Sequence, residues 1–433
     1  MSTKSIFSLM ASSLMVAALL CSALSSRSQT QAQSQSQPQP QLPEGNGREI
    51  VQRACTACHA LNQVTNSGHD SEEWKIVMAM MVNVGAPITK AEAATVTDYL
   101  TKNFPEKPKP AAVVVAGNAN VSIEEWEVPT PGSRPHDPLW TPDGNMWYSG
   151  HMANVLGRFD PRTQKFTEFH PKVPGSGPHG LVADKDGNIW FTANFKGYIG
   201  KLDPKTGDVT EYDLPDPSAR DPHTPLFAPN GMLFFTVQSA NMVGRLNPKT
   251  GEIKMVTSPT PKSNPYGMVM SSKGVPIFCE FGSNKIASID PETLAIHEWV
   301  LPHEDSRPRR IAITADDAVW YSDYARGYLG RLDTKTGKVT NEWPSPSGPK
   351  CQPYAITAIG NVIWYVESNA KPNTLVRFDS TTEKFQTWII PAGGGVVRNM
   401  VHTPDGNLWF PESGVNKIAF VQVKGDNKIS LKQ

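Results

Sequence analysis

The sequence predicts a multidomain protein in which a small all-α domain is followed by an all-β propeller of seven blades. Three observations carry this expectation. A pattern recurs seven times at intervals of 43 to 45 residues, with equivalent positions at His136, His179, His223, Tyr266, Arg309, Tyr354 and Arg398. Each copy but the last holds four short strands, as a propeller blade requires. The 33 Gly, 38 Pro and 11 Trp among 433 residues suit a turn-rich β protein, and a helix-period segment stands ahead of the repeats.

The chain is long enough for more than one core. Lys plus Arg and Asp plus Glu are both 41, so no net field draws the protein to nucleic acid, which is excluded as a partner class. At the N-terminus Lys4 precedes an apolar run with small residues after it, among them Ser22, Ala23 and Ser25. Residues 1–26 are therefore expected to be a signal peptide, which predicts an exported or periplasmic protein with no membrane span after cleavage. Residues 27–43 are rich in Gln, Ser and Pro and are expected to be a disordered tether.

Residues 44–105 are expected to fold as the helical domain. The string CTACH, from Cys55 to His59, has two thiols about one helical turn apart followed at once by a histidine. That spacing is the attachment pattern for one covalent haem c, with thioether bonds from Cys55 and Cys58 and an axial iron ligand from His59. A thioredoxin-like dithiol needs a βαβ context and a four-Cys zinc site needs a second Cys pair; neither is present. The segment EEWKIVMAMMV sets Trp74, Val77, Met78 and Met81 on one helical face. Met81 is the preferred sixth iron ligand; Met78, Met80 and His69 are alternatives. A second amphipathic helix is expected from Lys90 to Asn103, and residues 106–120 are expected to be an interdomain linker. Residues 45–105 resemble the small class I c-type cytochromes, in which a Trp followed seven residues later by Met often precedes a Gly turn. The resemblance implies an electron-transfer role.

Residues 121–425 are expected to form the propeller. The unit PHGLVADKDGNIWFTANFKGYIGKLDPKTGDVTEYDLP shows the repeat most fully: a Pro-led strand, a DG turn, an aromatic strand, a third strand, a KTG turn and a last strand. The final unit shows only three clear strands. SIEEWEVP, residues 122–129, is expected to supply the fourth and close the ring, with residues 428–432 as the alternative. Trp147, Trp190, Trp320, Trp364 and Trp409 recur at one position and are expected to pack between blades. The seven first-strand residues should converge on one face, with Glu280, Asp323, Glu367 and Glu412 beside them, as the default binding site. Cys279 and Cys351 fall in blades four and six, so a disulfide between them is not expected.

Strings such as PHGLVADKDGNIWFT, SNKIASIDP, GRLDTKTG and PDGNLWFPESGVNKIA resemble the blades of the virginiamycin B lyase (streptogramin lyase) family. The resemblance implies a seven-bladed propeller. It also implies magnesium-dependent opening of a cyclic depsipeptide by a His in blade six and a Glu-Pro-His in blade seven. Here Tyr354, Val396 and Arg398 stand at those positions, so magnesium lacks in-register support. A rotated copy of the set is present in His179, Asp221 and His223, which are the candidate catalytic residues. Three functions follow as expectations: an electron-transfer haemoprotein whose propeller binds a small-molecule substrate or a redox partner protein, a carbon–oxygen lyase, or a propeller-based dehydrogenase passing electrons to the haem.

Overall fold

The structure is a computed structural model that describes residues 41–424. The expected signal peptide, most of the expected tether and the alternative closing strand at 428–432 lie outside the described residues. Among the described residues no helix is long and apolar enough to cross a membrane.

Four helices precede the propeller: α1 (Arg48–Cys55), α2 (Asn62–Thr65), α3 (Ser71–Asn83) and α4 (Lys90–Asn103). Two of them begin with polar caps. The Asp70 carboxylate accepts the Glu73 amide at 2.8 Å ahead of α3, and Thr89 with Glu92 forms a reciprocal capping box on α4. Trp74 and Met78 from α3 pack against Val96, Tyr99 and Leu100 from α4, with Val51 of α1 beneath them. The indole N–H of Trp74 donates to the Phe104 carbonyl at 2.8 Å, satisfying the ring's one polar atom inside that core. Leu42 is buried in the same cluster and the Tyr99 hydroxyl donates to the Pro43 carbonyl, so the end of the expected tether packs on the helices.

Residues 106–120, expected to be a linker, are strapped along blade six. The Lys371 amide donates to the Pro110 carbonyl and the Thr387 amide to the Val115 carbonyl, while the Ser347 and Thr387 hydroxyls accept the Val113 and Val115 amides.

The propeller consists of seven sheets of four antiparallel strands. Six blades are simple meanders, beginning with the inner strands Pro135–Trp140, Pro178–Ala183, Pro222–Phe227, Pro265–Met270, Pro308–Ile313 and Pro353–Ile359. In the seventh, Val401–His402, Leu408–Glu412 and Lys417–Lys424 are joined on the outer edge by Asn120–Glu127, from ahead of blade one. The ring therefore closes as the strand count anticipates, and closure pairs residues nearly 300 apart in sequence, such as Glu125 with Ala419.

Local chemistry sets each blade. The first hairpin turn places a residue at positive φ, satisfied by Gly144, Gly187, Gly231, Gly274 and Gly406, while Asp317 occupies that conformation in blade five. In every blade but the sixth, where Tyr365 meets Val376, an aromatic residue on the second strand lies over a small partner on the third, such as Tyr148 over Gly157, Phe191 over Gly200 and Phe278 over Ala287. A Cβ on Gly200 would fall 2.1 Å from Phe191 Cζ. The recurring Trp147, Trp190, Trp320, Trp364 and Trp409 are all buried in the packing between blades.

Candidate functional site

Each of the six inner strands carries a register shift against its neighbour, between Pro135 and Pro138 in blade one and between Pro178 and Leu181 in blade two. A bulge of this kind re-aims one side chain out of the ladder. Hydroxyls from the second strands hold it. Ser149, Thr192, Thr236 and Ser322 accept the amides of Asp137, Gly180, Thr224 and Arg310. Three of these hydroxyls also donate to the next blade, Thr192 to the His223 carbonyl, Thr236 to that of Tyr266 and Ser322 to that of Tyr354. Bulge and seam are stitched together, and successive rings lie in tilted contact from blade to blade. His136, His179, His223 and Tyr266 form a staircase with centroids 3.9 Å apart at each step.

This face is one wall of a cavity of about 1250 Å³, including its open mouth. The opposite wall comes from the helices. Cys55, Cys58 and His59, at the end of α1 and the turn after it, face the propeller histidines, and Met78, Met80 and Met81 of α3 complete the enclosure. The Lys262 ammonium donates to the Thr56 carbonyl at 2.9 Å, tying the turn to the propeller. The helices and the propeller, read from sequence as separable parts, share this cavity.

Charge in the cavity is shaped by burial. His136, His179 and His223 are held well below the ordinary imidazole range, first by burial and then by neighbouring histidines or arginines, so they are neutral. Burial drives His151 down to about 3. His179 Nδ1 has no hydrogen-bond partner among the described residues. Burial pushes Asp221 up to about 7, against hydrogen bonds from Ser239 and Asn194. Of the candidate catalytic residues, His179 and His223 have ring centroids 3.9 Å apart with their planes tilted by 47°. The Asp221 carboxylate accepts from Ser239 at 2.7 Å and from Asn194, leaving it bonded to neither histidine.

The helical wall suits a covalently tethered group. Cys55 and Cys58 are both free. Burial and then the second thiol push Cys55 up to about 11, and burial followed by Asp221 raises Cys58. Neither has the depressed pKa of a redox dithiol. His59 Nδ1 lies 3.2 Å from the Ala60 carbonyl, which can only accept, so Nδ1 carries the proton and Nε2 keeps its lone pair for a metal. Met78 is buried beside Trp74 in the helical core, which leaves Met80 and Met81 as the freer thioethers of the wall. His69 is paired with Glu73 at 2.9 Å and stacked edge-on to Trp74, outside the cavity lining.

The four acids expected beside the face point elsewhere. Glu280 binds Ser258 and Ser263, Asp323 the Arg307 amide and Arg326, and Glu367 Ser347 and Thr374. Glu412 is buried near Glu125 where the ring closes. Each ends its second strand, and because side chains alternate along a strand, the following residue faces the cavity instead. His151, Asn194, Gln238 and Phe281 occupy that place and line the cavity. Their shared repeat offset was the available signal.

Magnesium does not fit the residues present. His136, Asp137 and His179 bring ligand atoms within 4.8 Å of one another, yet Asp137 Oδ1 already holds His136 at 3.0 Å and the Arg310 guanidinium at 2.9 Å. Magnesium prefers several oxygen ligands, and among the described residues the one carboxyl group lining the cavity, Asp221, already accepts from Ser239 and Asn194, while Asp137, outside that lining, is held by Arg310.

Seven four-stranded blades around a funnel of inner-strand side chains define the class, a lyase-like β-propeller. The family model described as the virginiamycin B lyase family matches residues 111–347, and the chain belongs to that family. Among solved structures, selenomethionine-substituted virginiamycin B lyase from Staphylococcus aureus is 26% identical with a TM-score of 0.64, covering 70% of this chain and 99% of its own. A streptogramin B lyase structure is 28% identical with a TM-score of 0.65, covering 70% and 98%. No curated protein matches the chain.

Proposed function

We propose that the chain is an exported electron-transfer protein carrying one haem c, whose propeller binds the substrate or protein partner with which electrons are exchanged. The observation that carries the reading is that Cys55, Cys58, His59 and the Met80–Met81 pair line the same cavity as His136, His179 and His223. Haem supplies one-electron redox chemistry when bound. Cys55 and Cys58 hold it covalently, His59 offers Nε2 to the iron and Met81 the thioether that raises the potential. The propeller wall limits water and presents neutral imidazoles and arginines to whatever shares the cavity.

The test is a haem stain after denaturing electrophoresis of protein made in cells that perform c-type maturation. The wild type should stain and the Cys55→Ala/Cys58→Ala variant should not; an unstained wild type refutes the reading. A screen for compounds that reduce the haem then separates a dehydrogenase-like propeller, for which the substrate itself is the reductant, from a docking module.

Family membership favours a second reading, a carbon–oxygen lyase acting on a cyclic ester or depsipeptide. The positions that the resemblance makes catalytic hold Tyr354, bonded to Tyr266, with Val396 packed among apolar side chains and Arg398. Metal-dependent elimination with no change in haem oxidation state would favour this reading over the first.

A further inference from the structure

We infer that Arg309 and Arg398 form a receptor for an organic carboxylate in the cavity between the helices and the propeller. Both line that cavity. The Arg309 guanidinium is framed by rings, 4.0 Å from the centroid of Tyr354, 4.3 Å from Tyr324 and 4.5 Å from Phe281. Its Nε has no partner. Arg310, the next residue, shows the contrast, because it is paired with Asp137 at 2.9 Å. Among the described residues neither Arg309 nor Arg398 has such a carboxylate, and Arg134 adds a further positive charge beside Arg398. The neighbouring imidazoles are neutral, so among the described residues the Arg309 cation is held by tyrosine rings rather than by a paired carboxylate.

A guanidinium withdrawn from water without a counter-charge is unfavourable, and its forked donors match a carboxylate. Phe195, Phe281 and Ile88 in the same lining favour an organic acid over a small inorganic anion. Two sources share this chemistry: a free carboxylic acid substrate and the propionate arms of haem. Only the second depends on the proposed function.

The experiment titrates succinate and benzoate by calorimetry into full-length wild type, Arg398→Gln and Arg309→Lys, each with Cys55 and Cys58 intact and as the Cys55→Ala/Cys58→Ala form. Unfolding midpoints check that every variant is folded. With a free acid as ligand, the haem-bearing wild type binds a carboxylate and Arg398→Gln weakens it at least about tenfold. With propionates as ligand, only the cysteine-free form binds, and Arg398→Gln lowers the midpoint potential of the haem-bearing protein, because losing a cation favours ferric iron. Binding in no form with unchanged potentials, or binding indifferent to both arginine variants, overturns the inference. A wild type without haem refutes the haem reading alone, since the calorimetry remains decisive.

Discussion

Replacing Glu412 by Gln tests how the ring is latched. Glu412 ends the second strand of the closing blade, fully buried, with neither carboxyl oxygen satisfied by a protein donor. Burial, reinforced by the Glu125 carboxylate on the added strand, pushes it up to about 8. Glu125 itself accepts the Ala392 amide at 2.8 Å and pairs with Lys417 at 3.3 Å. Because the folded pKa lies above the unfolded value of 4.5, the native state binds the extra proton. Stability is then greatest at low pH and is lost as pH rises through about 8. Linkage with these two values makes the loss on the order of 2–3 kcal/mol between pH 5 and 7 and roughly 1 kcal/mol more by pH 9. Glutamine keeps a neutral donor for Glu125 and removes the titration. Urea unfolding at pH 5, 7 and 9, followed by the fluorescence of Trp126 and Trp409 beside the seam, should show Glu412→Gln gaining on the wild type by those amounts as pH rises. Parallel stability profiles for the two proteins would refute the protonated latch.

Four further outcomes are expected. In haem-loaded protein, Met81→Ala should abolish the weak long-wavelength sulfur-to-iron band and lower the potential, with Met80→Ala near wild type; loss of the band in Met80→Ala instead would transfer the role. Met78→Ala should act through the core, costing about 2–5 kcal/mol in denaturant unfolding. Gly200→Val should destabilise the propeller by about 1–3 kcal/mol in the same assay, because the new side chain meets Phe191, and wild-type stability would refute the packing argument. With magnesium and a cyclic depsipeptide, chromatography should detect little ring opening, and robust opening lost on His179→Ala/His223→Ala would promote the lyase reading.

The repeat was legible because the blades share one punctuation: a turn residue tolerant of positive φ, an aromatic on the second strand and, in all but blade six, a small residue opposite. Local sterics impose these requirements, so they recur in the sequence and number the blades. The missing outer strand of the last unit and the spare strand at Asn120–Glu127 predicted ring closure for the same reason. Of the seven positions expected to converge, all but Tyr354 line the cavity, with Arg398 placed ahead of the short strand Val401–His402. Their acidic neighbours were misjudged by a single position, since alternation sends Glu280 into the serine cluster and Phe281 toward the cavity. What the chain pattern left undetermined were contacts between elements distant in sequence. Only the folded chain brings Cys58 opposite Asp221 and His223 and lays residues 106–120 along blade six. Strand and turn preferences act over a few residues and leave a written period, whereas docking of the helices depends on the complementary shape of two surfaces that exist only after each has folded.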